Sequence, residues 1–126
     1  MTRVLALDFG DARCGAALSD PTGTLATPLA AIESPDTRRG LDRVARLVHA
    51  RDVERVVVGL PISLSGEEGP QAVHTREWAA KLAERLDVPV ELHDERLTTR
   101  QAERSGGSAD LDSRAAAHLL EAYLAS

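Results

Sequence analysis

Residues 4–10 read Val-Leu-Ala-Leu-Asp-Phe-Gly, a short apolar run that ends in a carboxylate and a glycine. A bounded apolar run of this length is typical of a buried strand, so we expect a first strand over residues 4–9. A second strand is expected over residues 13–19. The turn sequence Asp-Pro-Thr-Gly at residues 20–23 separates it from a third strand over residues 25–32. Strands joined by such short turns predict an antiparallel meander.

The hydrophobic period changes after the third strand. Leu41, Val44 and Val48 recur at helical spacing behind a start signal at residues 34–36, which predicts a first helix. The remaining elements are predicted from runs of apolar residues, from Pro70 in a first helical turn, and from an apolar stripe near the end of the chain. They are a strand over residues 55–59, a helix over 70–86, a strand over 88–93, one or two helical turns over 98–103, and a last helix over 112–125.

This order of elements, β-β-β-α-β-α-β-α, defines the expected fold class. A meander followed by alternating helices and strands predicts an α/β protein with a mixed five-stranded sheet and helices on both faces. A length of 126 residues favours one domain spanning residues 1–126.

Composition narrows the possible environments and partners. The single cysteine, Cys14, excludes an intramolecular disulfide and favours the cytoplasm, and no apolar stretch is long enough to suggest a membrane partner. The net charge of −5 argues against a general nucleic-acid coat protein, because non-specific binding depends on neutralised phosphates. It does not argue against a nuclease, because bound metal ions offset catalytic carboxylates locally.

Asp8 is the first candidate for chemistry. It ends a buried strand, on the face shared by Val4 and Ala6, where a charge must be paired or must bind a cation. Gly10 follows closely and lets a backbone or a phosphate approach. The alternative is a turn aspartate that local amides satisfy.

Asp94 and Glu95 follow the fifth strand and form the second candidate. Strict alternation places Asp94 with the apolar residues of the strand and Glu95 with Glu91, so periodicity alone favours Asp94. Strand ends rarely keep strict alternation, and both acids could instead be solvated and paired with Arg96.

Asp112 opens the last helix and heads its apolar stripe, so its carboxylate could point towards the sheet. It could equally be a helix N-cap, and Asp110 is a second acid nearby. If acids from these three distant segments converge, their oxygen ligands suit Mg²⁺ or Mn²⁺. Two such ions about 4 Å apart activate a water molecule and stabilise the leaving oxygen of a phosphodiester.

Four blocks of the sequence, in this order and over nearly the whole chain, resemble the YqgF/RuvX family. The first is residues 5–10, Leu-Ala-Leu-Asp-Phe-Gly, with Arg13, Gly15 and Ser19-Asp20. The others are Val58-Gly59-Leu60-Pro61 with Gly66, residues 93–99 reading His-Asp-Glu-Arg-Leu-Thr-Thr, and Asp112-Ser113 with Ala115-Ala116 and residues 120–124.

The resemblance implies a ribonuclease H-like fold related to RuvC-type Holliday junction resolvases. It implies a metal-dependent nuclease that matures the ends of precursor 16S rRNA, with ribosomal precursor particles as partners; resolution of branched DNA has also been proposed for the family. The family's three acids correspond to Asp8, Glu95 and Asp112, as catalytic residues and metal ligands. The resemblance thus selects Glu95 over Asp94, which would then orient Arg96.

The sequence departs from the family pattern beside the expected metal site. A basic segment before the last helix is shortened here to residues 105–109, Ser-Gly-Gly-Ser-Ala, and Asp110 stands where the family often has lysine. Arg13, Arg96 and Thr98 are candidate phosphate contacts, although the arginines could pair with neighbouring acids and Thr98 could cap a short helix.

Three functions compete at this stage. The first is a two-metal endonuclease, monomeric or homodimeric, acting on structured RNA or branched DNA. The second is a nucleic-acid-binding module that has lost catalysis, which the acidic balance favours and the three acids oppose. The third, suggested by the Asp-x-Gly turn, is an actin-like ATPase, which needs two such domains.

Overall fold

The computed structural model describes residues 3–63, 65–94 and 111–126, with the side chains of Leu111 and Asp112 outside that description. The predicted helical turns over residues 98–103 lie outside the described residues. The described elements follow the predicted order. They are β1 (Val4–Asp8), β2 (Arg13–Ser19), β3 (Ala26–Glu33), α1 (Arg38–Ala50), β4 (Arg55–Leu60), α2 (Pro70–Arg85), β5 (Val90–Asp94) and α3 (Leu111–Ala125).

The five strands form one mixed sheet in the order β3-β2-β1-β4-β5. The strands β1, β2 and β3 are the predicted antiparallel meander. The strands β4 and β5 lie parallel to β1 because each is reached by a crossover through a helix. The carboxyl ends of β1, β4 and β5 therefore lie at the same edge of the sheet.

Alternating residues of the central strand face two different helical layers. Leu5 and Leu7 pack with the buried apolar side chains of α1 and α2, while Val4 and Ala6 pack with those of α3. Trp78, fully buried, is the largest side chain of the first layer. The α/β fold with helices on both faces is thus confirmed, and β1 is buried from both sides.

The start of α1 differs from the prediction at residues 34–36. The N-cap is Thr37, whose hydroxyl oxygen accepts a hydrogen bond from the Gly40 amide at 3.1 Å. Residues 34–36 are instead packed beneath the helix, since Trp78 Nε1 donates to the Pro35 carbonyl at 3.0 Å. A Cβ atom at position 40 would lie 2.4 Å from the Ser34 carbonyl oxygen, so glycine is required there.

The turn between β2 and β3 is held by its aspartate, as the sequence Asp-Pro-Thr-Gly suggests. The Asp20 carboxylate accepts hydrogen bonds from the amides of Leu25 at 2.9 Å and Thr24 at 2.8 Å. These bonds, led by that of Leu25, and the Thr22 hydroxyl hold the pKa of Asp20 below its ordinary value. In the described part of the chain, no helix is long and apolar enough to cross a membrane.

Candidate functional site

The candidate site lies at the edge of the sheet where β1, β4 and β5 end. Leu7 is opposite Val58 of β4, and Gly59 is opposite His93 of β5. Continuing the parallel register by one residue places Asp8, Gly59 and His93 in one row across the sheet. Gly59 contributes no side chain between its two neighbours, as is common where a ligand approaches a strand closely.

Asp8 lies on the face of the sheet that α3 covers. Its strand neighbours at two-residue intervals, Val4 and Ala6, belong to the apolar cluster of α3, so alternation carries the Asp8 side chain to the same face. Asp8 is half-buried where the rest of β1 is buried. A half-buried carboxylate is stabilised when it is paired with a hydrogen-bonding partner or binds a cation.

The α3 face of β5 is polar. The Glu91 carboxylate accepts a hydrogen bond of 2.6 Å from the Tyr123 hydroxyl of α3, and the His93 ring packs edge-on against Tyr123 at 5.8 Å between centroids. Val90, by contrast, packs against the cluster of α1 and α2. Asp94 ends the strand and shares the alternation of Val90 rather than that of Glu91.

The beginning of α3 lies at the same end of the sheet. Ser113, in the first turn, is buried, and its hydroxyl donates to the Leu29 carbonyl of β3 at 2.6 Å. Leu29 is in register with Ala16, which is in register with Leu7, the residue before Asp8. The first turn of α3, which includes the backbone of Asp112, therefore lies over β3, two strands from β1 and one row from that of Asp8. The side chain of Asp112 lies outside the described residues.

The turn after Asp8 depends on a close backbone approach. A Cβ atom at Gly10 would lie 2.7 Å from the Arg13 carbonyl oxygen, so the approach predicted at this glycine is made by the chain itself. Arg13 is exposed at the first position of β2. Its contact with phosphate stays a prediction, and Glu95, Arg96 and Thr98 lie outside the described residues.

On the opposite face, a cluster of charged groups holds the turn that follows Asp8. His74 Nδ1 lies 3.3 Å from Asp11 Oδ1, and His74 Nε2 lies 2.9 Å from Asp36 Oδ2. The Asp36 hydrogen bond is the main cause that raises the pKa of His74. Lys81 and then His74, by hydrogen bonding, lower the pKa of Asp36.

Sequence spacing did not indicate this cluster, because its members come from three separate elements.

The donor chemistry at this edge fits a hard divalent cation. Asp8 supplies carboxylate oxygen, which suits Mg²⁺ or Mn²⁺ better than a soft metal. Among the side chains that the structure describes, no three His, Cys, Asp or Glu residues are grouped closely enough to hold a metal ion. The predicted set therefore depends on Glu95 and Asp112, whose side chains are not among them.

Comparison with solved structures defines the class of protein. The chain superposes on the RuvC protein of Thermus thermophilus, solved with a Holliday junction, with a TM-score of 0.61 and 18% identity over 98% of this chain and 95% of that one. It superposes on the fowlpox virus resolvase with a TM-score of 0.59 and 13% identity, over 98% and 97% of the two chains. The fold is therefore the ribonuclease H-like fold of these resolvases.

Sequence comparison defines the family within that class. The model of the RuvX family, described as a Holliday junction resolvase, matches residues 2–126. A protein of Chloroflexus aurantiacus named "Putative pre-16S rRNA nuclease" is 42% identical, over 96% of this chain and 85% of its own length. The chain belongs to the RuvX family, which confirms the resemblance found in the four sequence blocks.

Proposed function

We propose that this protein is a metal-dependent endonuclease that hydrolyses phosphodiester bonds at the ends of precursor 16S rRNA in the cytoplasm. The observation that carries the proposal is the position of Asp8, on the α3 face at the edge where three parallel strands end. The last residue of β5 and the first turn of α3 reach the same edge. Family membership and the name of the Chloroflexus relative support the substrate.

The proposed metal ligands are Asp8, Glu95 and Asp112. Two Mg²⁺ or Mn²⁺ ions bound there would supply an activated water and a positive charge beside the leaving oxygen. Asp8 would be presented by a strand buried on both faces, which limits its freedom to move. Ser113 would fix the start of α3, and so the position of Asp112, through its bond to Leu29.

The alternation of β5 supports Glu95 as the ligand in preference to Asp94. Periodicity alone favours Asp94 only if the apolar side of this strand faces the site. In the structure that side packs towards α1 and α2, and the side of Glu91 and His93 faces α3, as Asp8 does. Continued alternation would place Glu95 with Asp8. Arg13, Arg96 and Thr98 remain the proposed phosphate contacts beside these ligands.

A second candidate substrate is branched DNA. The description of the matching family as a Holliday junction resolvase favours it, and the fold is that of two resolvases solved with such junctions. The proposed metal ligands serve either substrate, because the bond that is hydrolysed is the same. The two substrates are therefore separated by experiment, with ribosomal precursor particles as the proposed partner in the first case.

The test is cleavage of labelled precursor 16S rRNA and of a four-way DNA junction, with Mg²⁺ or Mn²⁺. We expect the wild type to cleave the RNA. Asp8→Asn should lower the cleavage rate by about a hundred-fold or more. Loss of a metal ligand should reduce activity at least as much as loss of a residue that hydrogen-bonds to a ligand. Preferred cleavage of the junction would indicate that the substrate is branched DNA and not RNA.

Matched variants make the assignment specific. Asp52→Asn makes the same change at an exposed position with a φ of 52°, which asparagine tolerates, and should retain full activity. Glu95→Gln should lose activity, whereas Asp94→Asn should keep most of it. Equal inactivity of wild type and Asp8→Asn on every substrate would refute the nuclease and favour a binding module.

A further inference from the structure

Exposed arginines of α1 border an open groove at the free edge of the sheet. The groove lies between α1 and β3 and has a cavity volume of about 450 Å³. Its rim carries Arg43, Arg46 and Arg51, all exposed, and its floor is formed by Leu29, Ile32 and Leu47. We call this feature the arginine groove.

The rim arginines differ from the lysine and arginines of α2, the other helix of the same layer. On α2, the three basic side chains are all paired: Arg76 with Glu68 at 2.6 Å, Lys81 with Asp36 at 2.8 Å, and Arg85 with Asp42. Across the described ranges, by contrast, no carboxylate lies within ion-pair distance of the Arg43, Arg46 or Arg51 side chains. The groove is therefore a positive patch on a chain whose net charge is −5.

We propose that the arginine groove binds the phosphodiester backbone of a nucleic-acid strand at a distance from the metal ligands. This inference rests on the proposed function, since the ligand is a remote part of the same substrate. Guanidinium groups match phosphate geometry with a planar fork. Binding of phosphates by surface arginines would also supply the positive charge that the shortened segment before α3 lacks.

The form of the groove favours a nucleic-acid backbone over an acidic protein segment. A protein partner needs a central pocket for an apolar or aromatic anchor, whereas Ile32 is 1% exposed and Leu29 and Leu47 are partly covered. Pro28 interrupts the N–H donors of β3, which opposes the addition of a peptide strand at this edge. Phosphate contacts require only the exposed guanidinium groups of the rim.

The position of the groove sets a minimum length for its ligand. Asp8 is on the α3 face of β1, while the groove opens on the α1 side of β3, two strands away. Each step between strands is about 4.8 Å, and the ligand must also pass around the edge of β3. A hairpin of about 16 base pairs is long enough to reach both.

The test measures binding without metal, so that no cleavage occurs. Wild type and Arg43→Gln/Arg46→Gln/Arg51→Gln are titrated by fluorescence anisotropy with the hairpin at several salt concentrations. Each phosphate contact contributes about 0.7 to 0.9 to the slope of log affinity against log salt. We expect the triple variant to reduce the slope for the hairpin by about 2.

A variant with the same change in net charge controls for general electrostatics. Arg76→Gln/Lys81→Gln/Arg85→Gln removes three paired cations from α2 and should alter the hairpin slope much less. An unchanged slope in the groove variant overturns the proposal, as does an equal loss in both triple variants. A binding assay with labelled poly-glutamate tests for a protein ligand instead. If the groove variant alone loses poly-glutamate binding but keeps the wild-type slope for RNA, the proposal is also overturned.

The two proposals fail in different ways. If the groove variant loses slope but the wild type cleaves nothing with Mg²⁺ or Mn²⁺, the groove binds nucleic acid and the nuclease proposal is wrong. If the wild type cleaves and the slope does not change, the groove proposal is wrong. Circular dichroism and the mass in solution verify that both triple variants fold and keep the oligomeric state of the wild type.

Discussion

At the scale of single residues, His74 connects the turn after Asp8 to the body of the protein. Both of its ring nitrogens face carboxylates, those of Asp11 and Asp36, and the edge of Phe9 packs against the ring at 4.9 Å. A neutral imidazole has one N–H group, so only the protonated ring can donate to both carboxylates. The protonation state of His74 therefore decides whether the ring donates to one of these carboxylates or to both.

We expect this contact to make the free energy of unfolding depend on pH. The pKa of His74 is raised above its ordinary value of about 6.5, chiefly by the bond to Asp36. Its contribution is then complete below about pH 6 and is lost as the pH rises through the folded-state pKa. Since the ring is 37% exposed, the effect should be under about 1 kcal/mol.

Urea denaturation from about pH 6 to about pH 9 measures this dependence. Relative to His74→Asn, the wild type should lose stability as the pH rises. Lys81→Gln removes the other partner of Asp36 at 2.8 Å, but its amine does not titrate in this range, so that variant should keep the wild-type slope. Parallel curves for wild type and His74→Asn would contradict the assignment.

At the scale of secondary-structure elements, Ser113 ties the start of α3 to β3. Its hydroxyl is buried and donates to the Leu29 carbonyl at 2.6 Å, on the row beside Asp8. Ser113→Ala leaves that acceptor without this donor and should lower the free energy of unfolding by about 1 to 2 kcal/mol, measured with urea. Ser126→Ala removes a comparable bond of 2.7 Å at an exposed position and should cost much less.

The same variant should also affect the proposed cleavage. A less restrained first turn of α3 would misplace Asp112, so we expect kcat to fall more than KM rises. Loss of stability without any change in kcat would show that Ser113 supports the fold but does not position the site.

The elements themselves were predictable because their signals are local. Apolar runs, turn residues and helical spacing predict the order of all eight described elements, and β2 has the predicted bounds, Arg13–Ser19. The start of α1 was not predictable from residues 34–36, since the turn there is held by Trp78, which is 43 positions from Pro35. Contacts between distant segments leave no local pattern in a sequence.

The candidate site was predictable only in part, for a related reason. Alternation places Asp8 with Val4 and Ala6, which pack against α3, and the rule is simple to apply here because β1 is central and both of its faces are apolar. At β5 the same rule favours Asp94, but β5 is an edge strand whose α3 face carries the polar residues Glu91 and His93. Which face of an edge strand meets the site depends on the helix that covers it, and only the fold shows that.

At the scale of the whole molecule, Asp8 and the arginine groove lie on opposite faces of the sheet. The proposed ligands Asp8, Glu95 and Asp112, on a chain with a net charge of −5, would repel one another, and a bound divalent cation would relieve that repulsion. Because the ion binds the folded chain, mass action should stabilise it by about 2.7 kcal/mol at a concentration of 100 Kd. The midpoint of thermal unfolding should then rise by several degrees with Mn²⁺ or Mg²⁺.

This stabilisation should depend on Asp8 and should need no substrate. We expect Asp8→Asn to lose most of the metal-dependent rise in the unfolding midpoint and Asp52→Asn, at its exposed position, to keep it. Comparing each variant with and without metal removes any direct effect of the substitution on stability. A rise in Asp8→Asn as large as in the wild type would place the divalent cation elsewhere on the chain, because a single-site ion cannot stabilise equally when a carboxylate ligand is lost.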